Sequence, residues 1–427
     1  MKNKKFILAT SAGHILEYFD AKLYGLFAVM LAPLFFPETN AAVSIIASFG
    51  VFAAGFVMRP FGAILFGHLG DRLGRKKAFI FSIITIIVPT FGIGCLPTYD
   101  SIGIAAPILL VTFRLVQGIS LGGEFGGASI FIREHIDKKQ AAFAGSILVA
   151  LGAVGGILGG VLGAIFTKSG MPPWAWRVPF LLGGLLGIIV YIMRRNLVET
   201  PTFEKIKREG NLKKIPIVSV VKNNFKGILR GIGIGINTTI PFYLAIIYMN
   251  APLKSKFDLS ISESMVLNTG IMVLCTFLLP FAGKLADKVG KLKLMAYSSL
   301  LTAFIAYPAY MCLLETTSLS IFYSTQILII LTSIPYMGTC ASVLPMLFSP
   351  SERYSGSAFS YAFGCAFFGG TAPLISAYLT NSGMIMGPAY YLIVSGIIGF
   401  IAVSKLKLFE DIQEKRHENI ITFKQAA

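Results

Sequence analysis

Twelve runs of roughly twenty or more apolar residues, the length that crosses a bilayer as a helix, dominate this chain. They lie at approximately 8–36, 43–66, 78–97, 103–131, 141–166, 176–194, 227–249, 264–284, 292–314, 320–346, 355–379 and 385–404. The runs are continuous rather than alternating, which argues against a β-barrel. Only 13% of the 427 residues are charged, against about 25% in soluble domains. The expected fold is therefore all-α, integral to a membrane, with twelve transmembrane helices.

A net charge of +17 would suit nucleic acid, but its distribution says otherwise. Alternate loops are basic: Lys2, Lys4 and Lys5, then Arg72, Arg75, Lys76 and Lys77, then Arg133, Lys138 and Lys139. The series continues with the run from Arg194 to Lys226, then Lys284, Lys288, Lys291 and Lys293, then Arg353 and the tail. The intervening loops carry only Lys168, Lys254 and Lys256. This is the positive-inside asymmetry. It places both termini and the 195–226 linker in the cytoplasm, and no nucleic-acid partner is expected. Glu17, Asp20 and Lys22 interrupt the first apolar run, so it reads as a retained span rather than a signal peptide. Cys95, Cys275, Cys312, Cys340 and Cys365 all fall inside spans and are expected to be buried free thiols.

The chain repeats. "GHLGDRLGRKK" at 67–77 and "GKLADKVGKLK" at 283–293 follow the second and eighth spans, at an offset of 216 residues. Gly67, Asp71, Gly74 and Lys77 align with Gly283, Asp287, Gly290 and Lys293. The expected organisation is a six-helix bundle at 1–194, a cytoplasmic linker at 195–226, a second six-helix bundle at 227–404 and a short cytoplasmic tail at 405–427. Internal duplication of this kind marks secondary transporters, whose solute sites sit near the midplane between the repeats.

With these residues in view, the chain resembles a known family. "GHLGDRLGRKK" looks like the loop signature of the major facilitator superfamily. "GHILEYFDAKLYG", "RLVQGISLGGEFGGASIFIREH", "WRVPFLLG", "LVETPTFE" and "RYSGSAFSYAFGCAFFGGTAPL" look like its metabolite:proton symporter branch, which includes proline/betaine, α-ketoglutarate, citrate and shikimate carriers. The resemblance covers essentially the whole chain. It implies two pseudo-symmetric bundles working by alternating access, with a small organic solute and a proton as partners in a lipid bilayer. It also implies a gating role for Asp71, with Arg72, Arg75 and the weaker counterpart Asp287. The chain is expected to act as a monomer in the plasma membrane, which is the inner membrane if the cell is a Gram-negative bacterium. Four histidines without metal or nucleophile–base spacing leave no case for an enzyme, a metal or a cofactor.

An ionisable group at the centre of a membrane helix costs about 2.5–3.5 kcal/mol on insertion scales, so each one needs a reason. His14, Glu17, Asp20, Ala21 and Tyr24 share one face of the first helix, roughly 120° wide at about 100° per residue. Lys22 points about 140° away from Glu17 on the same arithmetic. Glu17, Asp20 and Glu124 are candidate proton carriers, or members of buried ion pairs that only fix packing. His14 stands where the family has asparagine, either as part of a proton relay or as a hydrogen-bonding substitute. Ala21 replaces an aromatic and opens space beside Asp20. Lys22, Arg59 and Arg114 are candidate solute-binding cations, with Tyr24, Gln117, Asn237, Tyr243, Tyr336 and Tyr361 as polar candidates. Three cations favour a di- or tricarboxylate, citrate-like solute, and a zwitterion of the proline or betaine type is the alternative. A sensor with little flux is a further alternative. Glycines at 152, 156 and 160 and at 155, 159 and 163 predict close helix packing or a sliding contact. The absence of proline among them points to uptake rather than efflux.

Overall fold

The computed structural model describes residues 2–37, 41–166, 170–249, 253, 256–259 and 261–404. The tail, Lys168 and Lys254 lie outside the described residues, as do the side chains of Lys22, Lys138 and residues 2–9. Span 1 is Lys2–Phe35, span 2 is Ala41–Val57 with Arg59–Arg72, and span 3 is Arg75–Cys95. Span 4 is Ala105–His135, span 5 Ala141–Phe166 and span 6 Arg177–Arg195. Span 7, Phe225–Tyr243, continues as a π-helical turn at Leu244–Tyr248. Span 8 is Ile261–Val289, span 9 Lys291–Glu315 and span 10 Leu319–Val343. Span 11 joins Arg353–Gly364, a second π-helical segment at Cys365–Gly369, and Ala372–Asn381. Span 12 is Gly387–Val403. Spans 2 to 11 are each long and apolar enough to cross a bilayer, whereas span 12 is shorter. The twelve-helix membrane fold is thus the observed one.

The repeated basic segments differ from expectation in one respect. They are mostly helix, not turn. Span 2 runs on through Asp71 to Arg72, and span 8 through Asp287 to Val289. The reversal is left to a few residues, with Gly74 at φ 118° and Gly290 at φ 108°. Only glycine adopts such angles without strain. These aligned glycines are where the repeat is structurally most literal.

Small residues set the packing inside the first half. Span 2 lies on span 4 through Gly55, Gly62, Gly118 and Gly122, where an added Cβ would meet backbone atoms. Gly152 and Gly155 bring span 5 onto span 1 at His14 and Ile15. Those two are therefore packing contacts within one half. The halves meet through spans 2 and 11, and through spans 5 and 8. Across the second seam, Gly283 faces Ser146 and Ala142.

The linker is held at both ends. Thr200 caps the short helix Pro201–Arg208 by accepting the Phe203 N–H at 3.2 Å. Glu199 accepts the Lys76 N–H at 3.2 Å, at the start of span 3. A second short helix, Pro216–Asn223, bonds through Ser219 to Glu352. Asn224 just beyond it donates to the Leu347 carbonyl at 2.8 Å. All five cysteines are free; Cys275, Cys340 and Cys365 are buried, but Cys95, at the last residue of span 3, is exposed.

At Gly62 an added Cβ would lie 1.8 Å from the Ile119 carbonyl oxygen, whereas at Gly160 the nearest atom is 3.9 Å away. Overpacking of this kind costs about 1–3 kcal/mol. Gly62→Ala is expected to lower the melting temperature in detergent, and Gly160→Ala to leave it unchanged.

Candidate transport site

One end of the bundle holds Asp71, Arg72, Arg75, Lys284, Lys288 and Arg353, and is called here the basic end. Asp71, fully buried, accepts the N–H groups of Tyr354 at 3.1 Å and Ser355 at 2.8 Å. Span 2 of the first half therefore caps the start of span 11 in the second, where unsatisfied N–H groups attract an anion. Arg75 bonds the Gly70 carbonyl at 2.7 Å and the Pro350 carbonyl at 2.6 Å, and sits 3.2 Å from Asp71. Arg353 pairs with Glu134 at 3.3 Å. The repeat partner does the same in reverse. Asp287 accepts the N–H groups of Ala142 at 3.0 Å and Phe143 at 2.8 Å, capping span 5. Arg72 is exposed and joins neither cap.

Deeper in the first half, three arginines each face a carboxylate, and the three pairs are not alike. Glu124 and Arg194 are both fully buried and joined by two hydrogen bonds. Ser82 adds its hydroxyl to Glu124 at 2.9 Å, and Arg194 also donates to the Phe79 carbonyl at 2.9 Å. The other two pairs are loose. Arg59 stands 3.5 Å from Glu17, and Arg114 stands 3.5 Å from Asp20.

The Asp20 pair is held mainly by neutral groups. Thr90 donates its hydroxyl to Asp20 Oδ1 at 2.8 Å and Gln117 its amide at 2.7 Å. Arg114 spends Nη1 on Gln117 Oε1 at 2.7 Å and lies over the Tyr24 ring at 4.3 Å. Its Nε and Nη2 are buried without a hydrogen-bond partner. In the Glu17 pair, His14 Nδ1 hydrogen-bonds Glu17 Oε2 at 2.9 Å. Arg59 lies 4.7 Å over the Phe56 ring, with its Nε buried and unpartnered.

The Arg59–Glu17 pair faces the second half. Tyr18, Tyr243 and Cys365 gather around it. Ring contacts cross between the halves on either side: Phe125 on Tyr361 at 4.3 Å, and Phe56 on Tyr243 at 6.4 Å. Tyr243 and Tyr361 are thus beside the charged pair. Asn237 and Tyr336 are not brought there. Asn237 packs on Gly399 of span 12, and the Tyr336 hydroxyl donates to the Gly399 carbonyl at 3.2 Å.

Sequence reasoning placed Arg194 in the basic linker run. The structure buries it instead, against Gly13, where a Cβ would lie 2.0 Å from the Arg194 guanidinium. Tyr18, Phe56, Phe125 and Cys365 were also missed, because an aromatic or thiol in an apolar span carries no distinguishing signal.

Two family profiles divide the chain: "Sugar (and other) transporter" matches residues 5–214, and "Major Facilitator Superfamily" matches 231–424. The proline/betaine transporter of Escherichia coli strain K12 is 33% identical, over 95% of this chain and 84% of that one. A glycine betaine/proline/ectoine/pipecolic acid transporter of Dickeya dadantii is 33% identical over 98% of this chain and 89% of its own. The citrate-proton symporter of Klebsiella pneumoniae is 32% identical over 94% and 91%. Among solved structures, a proton:xylose symporter superposes with a TM-score of 0.76 at 15% identity, covering 93% of this chain and 94% of that one, a likeness of fold. The chain belongs to the major facilitator superfamily, in its metabolite:proton symporter branch. It is a transporter and not an enzyme.

Removing one partner of a buried ion pair costs about 3–5 kcal/mol. Glu124→Gln is therefore expected to reduce the yield of folded protein and its thermal stability in detergent. Glu17→Gln, which loosens a 3.5 Å contact, is expected to lower both by less.

Proposed function

We propose that this protein imports a small zwitterion together with a proton, by alternating access. The observation that carries this reading is the pairing of charges. Arg59, Arg114 and Arg194 of the first half each already face one carboxylate. The three pairs are each neutral as they stand, so a di- or tricarboxylate would bring net negative charge into the site. A solute with one carboxylate and one cationic head leaves the site neutral. The names of several relatives point the same way.

The tight Glu124–Arg194 pair is assigned to packing, and the loose pairs to work. Asp20 is the leading proton carrier. Its Oδ2 sees Arg114 only at 3.5 Å, so a proton there displaces little. Its neutral donors remain in place on Oδ1. Arg59 receives the solute carboxylate, and Glu17 with His14 supports it. The basic end is taken as cytoplasmic from the loop-charge asymmetry. Asp71 and Asp287 then close the cytoplasmic side by capping helices of the opposite half, and the bundles 1–194 and 227–404 rock about the 195–226 linker.

Reconstituted protein under an acid-outside pH gradient is expected to accumulate glycine betaine or proline and to leave citrate outside. Asp20→Asn is expected to lose accumulation while keeping solute exchange at equilibrium. Citrate accumulation without betaine uptake would refute the zwitterion. Gradient-driven uptake by Asp20→Asn equal to that of the parent would refute the proton assignment.

A further inference from the structure

Tyr243, beside the Arg59–Glu17 pair, stands where span 7 changes its hydrogen-bond register. Pro241 lies two residues before it and has no N–H to give the preceding turn. The π-helical turn Leu244–Tyr248 begins at the next residue. Proline and π-turns are the usual places where a helix bends, and π-turns gather at functional sites. Within this turn the Met249 N–H, which in an α-helix would bond the Ala245 carbonyl, goes to the Ile247 carbonyl instead.

The Ala245 carbonyl is met from another helix. Gln326 of span 10, fully buried, donates its amide nitrogen to that carbonyl and, at 2.7 Å, to Asn268 Oδ1 of span 8. A carbonyl only accepts, so the amide nitrogen has to face it. The amide oxygen is then buried without a hydrogen-bond partner, which costs free energy. A methionine would fill much the same space without that cost. What the amide adds is a tie from spans 8 and 10 to the π-turn of span 7. The Tyr243 ring itself is closely flanked. Phe56 packs against it, and a Cβ on Gly369 of span 11 would lie 3.5 Å from it.

We propose that Gln326 is a positioning residue for solute binding: by holding the Ala245 carbonyl it fixes the register change in span 7, and with it the place of the Tyr243 ring at the Arg59–Glu17 pair. The inference rests on the reading that solute binds at that pair. It adds a residue that bonds to neither of the two charges.

The test is a double-mutant cycle, which reads whether one residue acts through another. Binding of glycine betaine, proline and citrate is measured by calorimetry on the purified parent, Gln326→Met, Tyr243→Leu and the double variant, with melting temperatures alongside. Gln326→Met is expected to weaken binding about tenfold, on the scale of one lost hydrogen bond, and Tyr243→Leu by at least as much. The double variant is expected to bind like Tyr243→Leu alone, because the amide acts through the ring. Losses that multiply in the double variant would overturn the proposal, and a residue that only packs would give that result together with a lowered melting temperature. Parent-like binding by Gln326→Met would overturn it as well. Gln326→Asn, which keeps the amide but draws it back by one methylene, takes the place of Gln326→Met if that variant does not fold. Citrate binding without betaine or proline binding would overturn the zwitterion reading alone, and the cycle would then be read on citrate. Binding of none of the three by the parent would overturn both.

Discussion

A guanidinium in hydrocarbon keeps its charge, so it must keep a counter-charge. The architecture of the first half follows from that constraint. Arg59, Arg114 and Arg194 come from spans 2, 4 and 6, and their carboxylates from spans 1 and 4. Asp20, on span 1, is reached by groups on spans 3 and 4. The ion pairs hold the helices together where the apolar effect cannot, since lipid is as apolar as leucine. Their unequal geometry divides the labour. On the proposed reading, the pair made by two hydrogen bonds and further satisfied by Ser82 serves packing. On the same reading the Asp20 pair, at 3.5 Å and with neutral donors already in place, is the one that exchanges its cation for a proton.

The same economy governs the seam between the halves. Asp71 and Asp287 do not seek a basic partner across it. They use the unsatisfied N–H groups at the starts of spans 11 and 5. Such contacts are strong when made and demand no buried cation in the opposite half. On the proposed reading, breaking them returns the helix starts to water and opens that side. Arg75 reinforces one side by reaching the Pro350 carbonyl. Its repeat counterpart Lys291 reaches Asp287 only at 3.8 Å. The two seams are thus related in form.

Much of this was legible in the sequence. Long apolar runs fixed the number of helices, because hydrocarbon permits few alternatives. The aligned glycines at 74 and 290 marked the reversals, because few other residues fit there. The shared face of His14, Glu17 and Asp20 followed from helical period alone. What was not legible depended on partners distant in sequence. Arg194 reads as one more base in a basic linker until Gly13 and Glu124 are brought beside it. Asn237 and Tyr336 have the chemistry of solute ligands, but the rotation of their helices turns them onto Gly399. The Phe125–Tyr361 and Phe56–Tyr243 contacts join residues more than 180 positions apart, and no local pattern announces them.

On the proposed mechanism, the loose Asp20–Arg114 pair takes up the coupled proton when solute binds. Infrared difference spectroscopy on the purified protein reads this directly, through the carbonyl stretch of a newly protonated carboxyl group. Solute addition is expected to produce that band in the parent and in Glu17→Gln, and not in Asp20→Asn. A band that survives in Asp20→Asn and vanishes in Glu17→Gln would contradict the assignment and move the proton to the other loose pair.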